Sequence, residues 1–557
     1  MKIDLRWQLL LAIVCLAFVA FLLGYQIQTA GDCTIVEPSA GGRLTEGLVG
    51  LPKYINPLLA DSNPVDRQLT DLLFDGLTRY EDGYIVPALA ESWTYSEDNK
   101  TVTFNLDDQV QWHDGQPLST ADVAFTYGLL QNDEFPAAGP LREFWQTVTI
   151  TVENESKISF TLPQPYSPFI EATTRGILPA HILADIPVGE LADHEFNEKP
   201  IGTGPFFVIP GNSWKDDGYL LLAPYPNYWR GGTKLDTLAF RFYPDGAALE
   251  AAFEDDQIQA ITWISPEDVA DLGAVPGMKM YTSPSPRFAE LIFNLTDSAA
   301  PALRTLNVRQ ALAEALDREV VADAALWGQA IPLEGPYLPS SWAYNPSLLT
   351  NYTYQLDQAA SRLNDEGWIL QEGANLRQKE GDTLSLRLLI GDTPQQLAIA
   401  AELARQWAEL GVNIELKPVN PSRLQAELGT IEFDVALLDV EPLGDPDLYD
   451  FWSQEAIVRG QNYSGWNNRR ASEALETARN LPLPEERRPY YEAFLRYLDE
   501  DLPALTLFQY VDTYGISETV HELSIGLINV PRDRYKTFDE WFLLFKDVSV
   551  ACPESVS

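Results

Sequence analysis

VQWHDGQPLSTADVAFTY, residues 110–127, runs from the end of an apolar strand through a tight turn into a helix. Asp114-Gly115 supplies the turn chemistry and Trp112 anchors it. Ser119 opens the helix, and Asp122 completes a variant of the capping box. The segment reads as a structural corner in preference to a catalytic His113–Asp114 pair. Upstream, Val102, Phe104 and Leu106 alternate with polar residues, as a half-buried strand requires. Downstream, Val148/Ile150/Val152 and Ile158/Phe160/Leu162 form a second and third strand. Gly202-Thr203-Gly204-Pro205 then reads as a tight crossover; no helix follows it, so it is not a phosphate loop.

The same alternation of strand and helix continues outward. Asn63 caps a helix with Pro64 in its first turn and Leu69, Leu72 and Leu73 on one face. A strand over Leu238–Phe242 precedes a helix through Phe253. Asn307 to Trp327 reads as one long amphipathic helix, with Val308, Ala311, Leu312, Ala315 and Leu316 on a face. Strands at 384–390, 412–419 and 433–438 alternate with helices at 394–410 and 422–428. Helices over 469–479 and 484–501 follow. The fold class is mixed α/β, and the later half is close to βαβ units.

The chain has 557 residues, enough for several domain-sized units. Its 81 acidic and 38 basic side chains give a net charge of −43. Such a surface repels phosphate and disfavours nucleic acid as a partner. The cysteines are Cys15, Cys33 and Cys552, so the body holds neither a thiol nucleophile nor a cysteine-ligated zinc. A Cys33–Cys552 disulfide requires the two termini to meet in space. Trp7–Tyr25, WQLLLAIVCLAFVAFLLGY, carries no charge over 19 residues, and Lys2 and Arg6 precede it. As a helix it spans roughly 28 Å, close to the hydrocarbon core of a bilayer. The basic flank keeps the N-terminus cytoplasmic and exports the rest. An uncleaved anchor is the favoured reading, because only Ala30 offers a small residue near a cleavage site; a cleaved signal peptide is the alternative.

No nucleotide-binding, zinc-hydrolase or nucleophile-elbow motif occurs. The histidines are His113, His181, His194 and His521, and none has helix-face ligand spacing with another. Neither a metal nor a cofactor is implied. Carboxylates are too abundant for a glycosidase-like pair to be picked out by counting.

Several segments, in order, resemble the extracytoplasmic solute-binding proteins of ABC transporters, in the family that binds di- and oligopeptides and nickel complexes. They are LLFDGL at 72–77, PALAESW at 87–93, the 110–127 stretch, PIGTGPF at 200–206, NVRQALAEALDRE at 307–319, AASRLNDEGW at 359–368, GDPD at 444–447 and NYSGWNN at 462–468. The resemblance implies a two-lobed clamshell of the periplasmic-binding-protein type. Residues 1–41 would be anchor and tether, and 42–295 the first lobe, with an inserted subdomain at about 86–197. Residues 296–511 would form the second lobe, 512–548 would return to the first, and 549–557 would be a tail. It also implies a monomeric receptor, not an enzyme, that hands peptides or similar oligomeric solutes to an ABC permease and ATPase. In peptide-binding members an aspartate shortly before the DPD-like motif pairs with the α-ammonium. Pro442 falls at that position here, so Glu441, Asp439 or Asp445 would have to substitute. Asp445 and Asp447 fit turn capping around Pro446 equally well. Further cleft candidates are Tyr54, Asn56, Trp263, Phe288, Tyr463 and Trp466, each of which packing would also explain. The competing readings are a clamshell sensory receptor and an extracellular glycoside hydrolase.

Overall fold

The computed structural model describes residues 7, 13–22, 32–81, 83–136, 139–442, 444–523, 525–526 and 531–551. Two long strands, Met278–Phe293 and Ala504–Ser517, run antiparallel and carry the architecture. Ser517 to Val511 pair with Met278 to Pro284, and Gln509 to Ala504 pair with Phe288 to Ile292. The register shifts between Pro284 and Phe288, where Pro284 and Pro286 lack the N–H a ladder needs. On one side of this break Ala504–Ser517 pairs with Ala260–Ile264, which continues into Arg43–Val49, Thr237–Tyr243, Tyr219–Pro224 and Phe206–Val208. On the other side Met278–Phe293 pairs with Val435–Val440, then Ser385–Gly391 and Asn413–Val419. Both crossing strands therefore belong to two lobes.

The second lobe is a three-layer sandwich, and strand periodicity shows why. Leu386, Leu388, Ile390, Val435 and Leu437 enter one core, beneath the helices Leu306–Glu314, Arg318–Leu326 and Pro394–Glu409. The intervening Leu389 and Ala436 enter a second core, beneath Arg469–Arg479 and Pro484–Asp501. Successive side chains point to opposite faces, so a sheet covered on both sides reads as a nearly continuous apolar run. The expected single helix over 307–327 is two helices. Asp317 interrupts it by capping a new start, its side chain accepting from Val320 N.

The first lobe carries a four-stranded antiparallel sheet of Ala90–Tyr95, Thr101–Leu106, Lys157–Thr161 and Thr149–Asn154. The Ser119 capping box forms, with Asp122 reaching back to Ser119 N at 2.9 Å. The 110–117 corner is bolted to the glycine crossover. His113 Nδ1 accepts from Gly202 N at 3.0 Å, and Nε2 lies 2.9 Å from the Gly204 carbonyl, to which it donates. A Cβ on Gly202 would lie 1.7 Å from the Leu73 carbonyl oxygen, so only glycine permits this approach. Burial pushes the His113 imidazole down to about 4, against the pull of the Gly204 carbonyl and Asp114. With the folded value below the ordinary one, its contribution is intact above about pH 6.5 and is lost as pH falls toward 4. Stability should drop by about 1–3 kcal/mol between pH 7 and 4.5 from this group. Urea unfolding of His113→Gln should show a smaller drop over that range than the wild type does.

The C-terminal segment re-enters the first lobe. Arg534 Nη2 donates to Glu46 at 2.6 Å with both side chains almost wholly buried, and the Tyr535 hydroxyl donates to the other Glu46 oxygen at 2.5 Å. Part of the expected tether is a strand: Asp32–Ser39 pairs antiparallel with Leu544–Ala551, which takes in the start of the expected tail. That ladder sets Cys33 opposite Val550; Cys552 lies outside the described residues. The expected anchor over 7–25 also lies partly outside them: Trp7 and 13–22 are described and helical. Among the described residues no helix is long and apolar enough to cross a membrane.

Candidate functional site

The helix Pro64–Leu73 turns Val65, Leu69, Leu72 and Leu73 into the core of the first lobe and leaves Arg67, Thr70 and Asp71 on a cavity between the lobes. The cavity has a volume of about 1000 Å³. Its apolar walls come from Phe74, Leu141, Phe144, Trp145 and Tyr166 of the first lobe and Tyr510 of a crossing strand. Ser285, Pro286 and Arg287, the residues of the register break, form its floor, and Gln395 and Glu441 come from the second lobe. Concave, largely apolar walls with a few charged groups suit a bound organic solute.

At one end the lobes touch. The Glu171 carboxylate accepts from Gly444 N at 2.7 Å and Asp445 N at 3.0 Å. Gly444 is pressed on Tyr80; a Cβ there would fall 1.7 Å from the ring. Ser167 N and Oγ both donate to the Arg479 carbonyl, at 2.7 and 3.1 Å. The Arg479 guanidinium lies 5.1 Å from the Tyr166 ring centre. Burial pushes the Glu171 carboxyl up to about 7, and the charge of Asp445 adds to the rise, against the two backbone donors. Burial also raises the Tyr80 phenol, with Glu171 and Asp445 contributing. On the cavity floor Asp512 is raised by burial, while Arg287, 3.5 Å away, opposes the shift.

Of the residues expected in a cleft, Glu441 lines the cavity and is exposed to it. Asp445 faces away: its two oxygens take Arg487 Nη1 and Nη2 at 2.6 and 2.5 Å. Asp447 accepts from Arg479 and from Tyr449 N. Asp439 takes the Tyr510 hydroxyl and Gln396. Tyr54 lies off the cavity with Lys53 over its ring, and Asn56 is buried on Asn197 at 3.0 Å. Phe288 packs with Leu333 and Leu338 in the core. Tyr463 and Trp466 pack in the second-lobe core, where Trp466 Nε1 donates to Asp501 at 2.8 Å. Trp263 lies in the strand Ala260–Ile264, next to the cavity residue Ile264, and its side chain lies outside the described residues. Among the described residues no cluster of three histidine, cysteine or carboxylate side chains could hold a metal ion.

The sequence reading missed Arg67, Phe144, Tyr166, Glu171, Arg287 and Tyr510. The polar face of the 64–73 helix was the one local signal for the first of these.

The family model of the bacterial extracellular solute-binding proteins, family 5 Middle, matches residues 84–455. The oligopeptide-binding protein AppA of Bacillus subtilis is 26% identical over 516 residues, covering 91% of this chain and 92% of that protein. The dipeptide-binding protein of Escherichia coli is 24% identical over 483 residues, covering 82% and 87%. The solved structure of AppA from Bacillus subtilis in complex with a nonapeptide superposes with a TM-score of 0.67 at 24% identity, over 91% of this chain and 100% of that one. NikA from Brucella suis, in complex with Fe(III)-EDTA, superposes with a TM-score of 0.76 at 20% identity, over 90% and 100%. These superpositions establish the shared mixed α/β fold.

Proposed function

The chain belongs to the bacterial extracellular solute-binding proteins of family 5 and has the role of a substrate-binding receptor, and on that premise we propose that its interlobe cavity takes a peptide for delivery to an ABC importer. The observation that carries this reading is the cavity of about 1000 Å³ walled by both lobes, with charges of both signs around an aromatic interior. A ligand that touches both lobes favours their contact, and that differential affinity is what a permease senses. The task is capture and release, without turnover.

Glu441 is assigned to the ligand's α-ammonium. It is the carboxylate of the 439–447 stretch that lines the cavity, since Asp445 and Asp447 are held by arginines. One chain supplies both walls, so a monomer suffices for capture. It is held at the extracytoplasmic face of the membrane by the apolar N-terminal segment. The exposed Ile13, Val14, Leu16, Phe18 and Val19 on its helical part support that reading.

Calorimetric titration with a free-amine peptide, its N-acetyl form and an oligosaccharide tests the assignment. Glu441→Gln should weaken the free-amine peptide by about tenfold to a hundredfold and leave the acetylated form unchanged. Equal binding by variant and wild type removes Glu441 from the role. Saturation by the oligosaccharide with no peptide binding overturns the peptide reading.

A further inference from the structure

Three arginines line the cavity, and two of them are occupied. Arg175 donates to both Asp61 oxygens at 3.1 and 3.0 Å and to the Pro57 carbonyl at 3.0 Å. Arg287 stands 3.5 Å from Asp512 and 5.3 Å from the centre of the Tyr510 ring. Arg67 differs from both. Among the described residues its guanidinium forms no ion pair and no side-chain hydrogen bond, and its Nε is buried without a partner. A guanidinium carries five N–H donors and cannot shed its proton, so burying one donor unmade is costly. The chain does not lack acid, with 81 acidic and 38 basic side chains. The adjacent Asp66 is turned away, taking Lys53 N at 2.7 Å and Tyr54 N at 2.8 Å. Asp71, one helical turn on, also lines the cavity, so the position is amphoteric and not a general anion sink.

We infer that Arg67 receives a carboxylate of the bound ligand, making it a specificity-determining residue of the first-lobe wall. This inference rests on the peptide reading above. The planar fork of arginine matches a carboxylate with two parallel hydrogen bonds, which lysine does not reproduce. A peptide offers that group from its C-terminus or from an Asp or Glu side chain. With Glu441 taking the ammonium, the two charges of a peptide would be read from opposite lobes, so a full peptide would hold both lobes together.

The test titrates full-length protein with three peptides of equal length. One has neutral side chains and a free C-terminus, the second is its C-terminal amide, and the third is the amide with one internal glutamate. The wild type should bind the free acid about tenfold to a hundredfold more tightly than the amide, and Arg67→Gln should abolish that preference. Preference restored by the internal glutamate, and lost in Arg67→Gln, would assign the side-chain source and equally support the inference. Arg67→Lys, which keeps the charge, should retain part of the preference and serves if the glutamine variant does not fold. A wild type indifferent to both carboxylates, or variants with an undiminished preference, would overturn the inference while leaving peptide binding intact. A wild type that binds none of the three would overturn the peptide reading and this inference with it.

Discussion

Asp445→Ala is expected to cost about 3–5 kcal/mol of stability and to loosen the turn through which the second lobe meets Glu171 of the first. The Asp445 and Arg487 side chains are 8% and 3% exposed and meet through two parallel hydrogen bonds. The Arg487 guanidinium also lies 5.3 Å from the ring centres of Trp342 and Tyr491. Removing the carboxylate leaves a buried cation with no counter-charge, which is the expensive half of a buried pair. Asp445 also holds its own turn by accepting from Asp447 N at 3.0 Å. Its backbone N–H is one of the two that reach Glu171 across the cleft. Urea unfolding measures the loss. The double variant Asp445→Leu with Arg487→Met should recover much of the stability but not ligand binding, because the turn still lacks its acceptor. A loss under about 1 kcal/mol for Asp445→Ala would show that the pair is solvated and does not hold the turn.

Contact between the lobes should weaken as pH rises through about 7. Glu171 sits at about 7 while it spans the cleft. With the lobes apart it returns toward the ordinary glutamate value, near 4.3. Between those values the contacting form holds more protons than the separated form, so acid favours contact and alkali opposes it. The groups facing Glu171 are Tyr80 from its own lobe and Asp445 from the opposite one, with Arg487 behind Asp445. Ligand affinity should fall about threefold to tenfold between pH 6 and 8. Glu171→Gln should flatten that profile, since the amide does not titrate. Asp512, also raised by burial, remains in the variant and accounts for any residual slope of the same sign. An unchanged pH profile in Glu171→Gln would assign the dependence elsewhere.

Local features were legible wherever the physics is local. The Ser119–Asp122 box, the Asn63 cap and the helices over 469–479 and 484–501 follow from residues within one or two turns. The 307–327 segment was misread because its apolar face is continuous; the capping power of Asp317 outweighed that continuity. The cavity was mostly illegible for a different reason. Arg67, Glu171, Arg287, Glu441 and Tyr510 are far apart in sequence, and the crossing strands bring them together. Aromatic residues misled in the same way. Phe288 and Trp466 satisfy a cleft-lining pattern and a core pattern equally, and burial decides for the core. The GDPD aspartates suggested ligand contact or turn capping. Their partners, Arg479 and Arg487, lie more than thirty residues on, in and at the end of separate helices. Family order, carried by segments too weak individually, supplied the two-lobed arrangement that no single motif contains.

The most direct test is to purify the protein without added ligand, denature it, and identify by mass spectrometry the small molecule released. The account predicts peptides at close to one per chain, with free N- and C-termini. A sugar, or another solute lacking both an ammonium and a carboxylate, released at that stoichiometry would contradict it.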